Sequence, residues 1–219
     1  MNLVIFVGGP TACGKSTFTN ELNKSLVNSK KYRRYQGFFD IGTLKNIPKK
    51  EIFKQVTSEQ VDDWFIDVCK ETKIIISDIH YAVQMNRNNI NQQSEVDIYQ
   101  EYVPTISKEL LNKMFLNNIK VVAIYLTCSS DICYDRAVMR YNNFEKELRT
   151  QSLQDAELEN AAERREWNNI VLNDSVIGIE LNSELYSPEE LVNQCLNYLT
   201  DELKLDQGYQ LSKRKNTRN

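Results

Sequence analysis

Short apolar runs punctuate the chain at Leu3–Val7, Lys73–Ser77, Val121–Leu126 and Val176–Leu181. They are rich in valine and isoleucine and almost continuous in hydrophobicity, which is how strands covered on both faces read. A weaker run, Tyr35–Phe39, makes a further candidate strand. Longer stretches with helical spacing lie between them: Lys15–Asn28, Lys50–Glu71, Pro104–Asn117, Asp131–Tyr141, Leu153–Val171 and Pro188–Leu203. The last opens with Ser187, Pro188, Glu189 and Glu190, a capping residue, a first-position proline and acids in the first turn. Strands alternating with helices predict an α/β three-layer sandwich, a parallel sheet of about five strands with helices on both faces.

Two regions fall outside this pattern. Residues 141–154 are polar and charged and lie between the fourth and fifth strands. Residues 206–219 form a polar tail ending KRKNTRN, expected to be disordered and solvated. A docking or nucleic-acid role for that tail is the alternative. Residues 1–205 are expected to form one domain.

Composition narrows the field of functions. With 219 residues, 41% apolar and 26% charged, the chain suits one sizeable globular domain. A net charge of −3 argues against a general affinity for nucleic acid. No segment is long enough to span a bilayer, and the start MNLVIFVGGP lacks the basic region of a signal peptide. The cysteine count is odd, at 5, and no two form a CxxC pair, so reduced thiols in a cytoplasmic protein are expected. The single histidine, His80, argues against a zinc site.

The chemistry starts where the first strand ends. Gly9, Pro10, Thr11, Ala12, Cys13, Gly14, Lys15 and Ser16 fit G-x-x-x-x-G-K-[ST], between a predicted strand and a predicted helix. The glycines let successive backbone N–H groups turn inward onto phosphate oxygens, and the helix start adds its positive dipole end. Lys15 is expected at the β- and γ-phosphates, Ser16 at Mg²⁺, and Thr17 follows in the helix. The motif thus predicts a P-loop NTPase fold that binds ATP with Mg²⁺. Cys13 fits the loop as a small residue. Trp64 and Trp167 fall at helical positions suited to the core, and Phe38 and Phe39 also suit packing.

Asp78 ends the run IIISD, placing a carboxylate at a strand's C-terminal edge, where it can hold Mg²⁺ or act on the acceptor side. A helix cap is the structural alternative. His80 lies two residues on, where α/β folds place ligands. After the fourth strand come Arg136, Arg140, Arg149, Arg164 and Arg165. Planar guanidinium groups bind phosphate bidentately, so Arg136, Arg140 and Arg149 are candidates for a phosphoryl-transfer lid. The alternative is a solvated helix with pairs such as Glu145–Arg149.

The P-loop, SDIHYAV, EYVP, VVAIYLTCSSDICYDR and LENAAERREWNN together resemble the archaeal-type adenylate kinases, from about Leu3 to Leu203. The resemblance implies a small nucleoside monophosphate kinase: ATP plus a monophosphate gives ADP plus a diphosphate. It implies a monophosphate over the helical region after the second strand, a lid at 141–154, and a homo-oligomer, a trimer. Where that family carries a phosphate-gripping arginine, this chain reads NIPKKEIFKQ, with Phe53 near that position. Lys50 and Lys54 are then the candidates for the acceptor phosphate, as point charges without an arginine's fork.

Other P-loop functions stay open. A kinase acting on a hydroxyl, of a small metabolite or a nucleic-acid end, needs a carboxylate base, and Asp40 or Asp78 could serve. A nucleotide-dependent switch or assembly ATPase would pass its conformational change to a partner, with the basic tail as docking arm.

Overall fold

A computed structural model describes residues 2–25, 32–36, 58–71, 74–86, 100–144 and 152–203. The described elements run β1 (Asn2–Gly8), α1 (Lys15–Ser25), β2 (Tyr32–Gln36), α2 (Ser58–Glu71), β3 (Ile74–Asp78), β4 (Ala82–Asn86) and β5 (Gln100–Pro104). They continue with α3 (Lys108–Leu116), β6 (Ile119–Thr127), α4 (Ser130–Phe144), α5 (Leu153–Val171), β7 (Val176–Asn182) and α6 (Pro188–Leu203). Five strands form one sheet in the order β2-β3-β1-β6-β7, and every neighbouring pair is parallel.

Side-chain alternation along these buried strands divides the core in two. Leu3, Ile5, Val7, Ile74, Ile76, Val122, Ile124 and Leu126 face α1 and α6. Val4, Phe6, Ile75, Val121, Ala123 and Tyr125 face the side covered by α2, α3 and α5. Both faces are apolar, so β1, β3 and β6 read as continuous hydrophobic runs. The register sets Val7 opposite Asp78, which brings the C-terminal end of β3 beside the turn that follows β1. Ligands of open α/β sheets bind at this edge.

Several boundaries differ from the sequence expectations. The second strand is Tyr32–Gln36 and not Tyr35–Phe39. It lies at the sheet's edge with β3 as its neighbour, where burial selects less strongly for apolar residues and the run carries Arg33 and Arg34. The third strand takes in Asp78 itself. Pro104 does not open a helix. It ends β5, opposite Ala82 in an antiparallel hairpin with β4 that the hydrophobic pattern missed. Helix α3 starts later, where the Ser107 hydroxyl accepts a hydrogen bond from Leu110 N at 3.0 Å. Residues 141–144 continue α4, and residues 152–154 cap and begin α5, so the predicted lid span overlaps both helices. The span 145–151 and the tail 206–219 lie outside the described residues.

All five cysteines are buried free thiols. Trp167 is buried and donates from Nε1 to Ala123 O at 3.1 Å, while Trp64 is half-buried against the core. Among the described residues, no helix is long and apolar enough to cross a membrane.

Candidate functional site

Strand β1 runs straight into the glycine-rich turn. Gly9 has φ +140°, and a Cβ there would stand 2.5 Å from Leu126 O, so the position accepts no side chain. Ala12 and Gly14 also have positive φ, 62° and 102°. The turn is closed by Cys13 N donating to Pro10 O at 3.2 Å, and Phe18 N to Gly14 O at 2.9 Å continues it into α1. Runs of such conformations make anion-binding concavities from backbone N–H groups. Cys13 packs inside the turn, and burial pushes its thiol up to about 11, so it is a filler and not a nucleophile.

Lys15 Nζ folds back along the turn and donates to Gly9 O at 2.6 Å and Pro10 O at 2.9 Å. Ser16 Oγ donates to Asp78 Oδ2 at 3.1 Å. Two hard oxygen donors from separate elements thus meet beside the lysine. The arrangement fits the implied cofactor: a backbone cradle for phosphate, a cation on its rim, and a hydroxyl with a carboxylate suited to Mg²⁺. Thr17 is exposed on the first turn of α1.

A second cluster adjoins the turn, and only His80 of it was singled out by the sequence. His80 Nδ1 lies 2.6 Å from Glu163 Oε1 and 3.6 Å from Glu159 Oε1. The other Glu163 oxygen accepts from Tyr81 N at 2.7 Å. Glu159 Oε1 accepts from Thr11 N at 2.7 Å and Thr11 Oγ1 at 2.6 Å, so a carboxylate oxygen sits on the phosphate turn itself. The signal for Glu163 was available: it falls in register with Ala156, Trp167 and Ile170 on the buried stripe of α5, where a charged residue needs a reason.

Burial pushes the Glu163 carboxyl up to about 8, against the opposing pull of Lys15 and the Tyr81 amide. Between the ordinary value of 4.5 and about 8, the folded chain holds a proton that the unfolded chain has lost. This contribution to stability is therefore complete below the ordinary value and is lost as pH rises through the folded one. Thermal midpoints in chelator-containing buffer at about pH 5 and about pH 9 should fall further for the native chain than for Glu163→Gln. An equal fall in both would remove Glu163 as the cause.

The arginines divide. Half-buried Arg136 donates from Nη1 to Cys128 Sγ at 3.5 Å, and Arg140 is exposed on α4. Arg164 lies over the Tyr125 ring at 4.4 Å and holds Glu180 with both terminal nitrogens, at 2.5 and 2.8 Å. Arg165 pairs with Glu166. Arg164 is thereby committed to packing α5 against β6 and β7, whereas Arg165 pairs within its own helix and stays largely exposed. Asp40, Lys50, Lys54 and Arg149 lie outside the described residues.

No family model matches the chain, and no curated protein matches it in sequence. Its fold is similar to solved structures. The Bacillus subtilis YorR protein, in complex with phosphorylated GDP, superposes with a TM-score of 0.54 at 18% identity, over 92% of this chain and 98% of that one. The tunicamycin resistance protein of Deinococcus radiodurans superposes with a TM-score of 0.51 at 9% identity, over 91% and 96%. At such identities the likeness is one of fold. The chain has the P-loop α/β three-layer fold.

Proposed function

We propose that the protein is an ATP- and Mg²⁺-dependent phosphotransferase of the nucleoside monophosphate kinase type, similar to the adenylate kinases. The observation that carries the phosphotransferase reading is the meeting of Lys15, Ser16 and Asp78 on one backbone cradle. ATP, when bound, supplies the phosphoryl group, and Mg²⁺ supplies charge compensation. The chain's own residues bind and orient. The amides of residues 12–16 hold phosphate oxygens, Lys15 leaves the Gly9 and Pro10 carbonyls for the phosphates, and Ser16 and Asp78 hold the metal. Arg136 and Arg140 on α4, with Arg149, neutralise charge as it develops. A phosphate acceptor is already an anion, so positioning and charge neutralisation suffice without a strong base. Support for the monophosphate as acceptor comes from the resemblance of SDIHYAV, EYVP and the arginine-bearing helices to that family. Asp40, Lys50, Lys54 and His80 are its proposed contacts.

One observation favours a second reading. Glu159 sits on the phosphate turn at Thr11, a position from which a carboxylate could take the proton of a hydroxyl acceptor.

ADP release with ATP and Mg²⁺ against a panel of ribo- and deoxyribonucleoside monophosphates decides between them. Strong stimulation by one monophosphate is the expected result. Slow release that no monophosphate stimulates would exclude the monophosphate reading and turn the search to hydroxyl acceptors.

A further inference from the structure

His80 comes from the segment after β3, and Glu159 and Glu163 from one face of α5, a single turn apart. Their donor atoms all lie within 4.8 Å of one another. Bonds of about 2.0–2.2 Å to a shared ion would set neighbouring ligand atoms about 3–3.5 Å apart. The 2.6 and 3.6 Å separations from His80 Nδ1 bracket that spacing. The His80 side chain is 34% exposed, whereas the Glu163 side chain is fully buried.

We infer that His80, Glu159 and Glu163 form a divalent-cation site, distinct from the Ser16–Asp78 pair, that takes a first-row transition ion such as Mn²⁺. The donor set selects the ion. Mg²⁺ and Ca²⁺ favour all-oxygen surroundings, whereas Mn²⁺ accepts carboxylates together with an imidazole.

Two features favour a ligand over a plain hydrogen-bond network. First, both carboxylates are already aimed by outer contacts, Glu163 through Tyr81 N and Glu159 through Thr11. Ligating carboxylates are held in this way. Second, an imidazole and two carboxylates from two separate elements converge within 4.8 Å of one another, one of the carboxylates on a fully buried side chain. The link to the nucleotide rests on the phosphotransferase reading, but the cation site does not.

The test is a Mn²⁺ titration of the full chain without nucleotide, reading free Mn²⁺ by its paramagnetic resonance signal, with circular dichroism to verify each variant's fold. Manganese avoids the buried thiols, which would compete for softer ions. The native chain should bind one ion here. Glu159→Gln and His80→Ala should each weaken binding at least about tenfold, and Ser16→Ala should leave it intact. These positions carry the test because Glu163→Gln also alters a fully buried contact. Retention of binding in either variant, its loss in Ser16→Ala, or no binding in the native chain below about 1 mM Mn²⁺ overturns the inference. ATP turnover that is equal in Lys15→Ala and the native chain would sink the phosphotransferase reading instead, without touching the cation site.

Discussion

On the proposed phosphotransferase reading, replacing Lys15 by alanine should lower ATP turnover by about 10³-fold while the chain stays folded, since removing one well-placed charge-stabilising donor commonly costs about 10²–10³ and a full positive charge is lost here. In the structure the ammonium bonds two backbone carbonyls of its own turn, Gly9 O and Pro10 O. Gly9 and Pro10 are buried, so leaving their carbonyls without this donor should cost about 1–3 kcal/mol, short of unfolding the chain. Among the described residues, no other lysine bonds the turn. Parallel measurement of ADP release and thermal midpoint separates the two effects. An unchanged rate, or a midpoint that collapses with the rate, would show that Lys15 acts otherwise.

Replacing Tyr81 by alanine has the largest expected effect on stability, a loss of about 3–5 kcal/mol as for other buried aromatic truncations. The side chain is fully buried, stacks near Tyr125 with ring centroids 6.4 Å apart, and donates from its hydroxyl to Ile124 O at 2.8 Å and Phe6 O at 3.2 Å. It therefore ties β1 to β6 across the helix-covered face. The fit extends to its neighbour: a Cβ on Gly8 would come within 2.2 Å of the Tyr81 ring. Tyr81→Phe keeps the ring and loses the hydroxyl, so it should cost about 1 kcal/mol. Denaturant midpoints of the two variants check this, and near-equal losses would contradict the assignment of most of the effect to the ring. Since Tyr81 N also holds Glu163, the alanine variant should loosen the cluster beside the phosphate turn.

The phosphate turn, the parallel sheet and Asp78 were legible because their signals are local. A glycine-lysine spacing after an apolar run specifies backbone shape within a few residues, and strands covered on both faces cannot hide polar alternation. The hairpin of β4 and β5 carries no such signal. AVQMN and QEYVP are short and mixed in polarity, and their pairing joins segments separated by an intervening stretch. Edge strand β2 slipped upstream for a related reason, having one neighbour and therefore a weaker apolar requirement. Glu159 and Glu163 were hidden differently. Their helix is legible from its spacing, but the partners of its polar residues are not, as with Arg164, which packs against Tyr125 and Glu180. What makes the glutamates part of the site is a contact between Thr11 and Glu159 across 148 positions, which no window of sequence displays.

That span has a consequence for how the protein is made. The glycine-rich turn is made before most of the sheet, and β1 lies between β3 and β6 and cannot be paired on both sides until residue 127 has been synthesised. The carboxylates that complete its surroundings come later still, with α5. Long-range parallel pairing is slow and leaves apolar strands exposed meanwhile. A nascent chain halted before α5 would present Leu3–Val7 with its helical cover incomplete, a segment for chaperones to shield. The surroundings of the glycine-rich turn are thus completed only once α5 has been made, well after the turn itself.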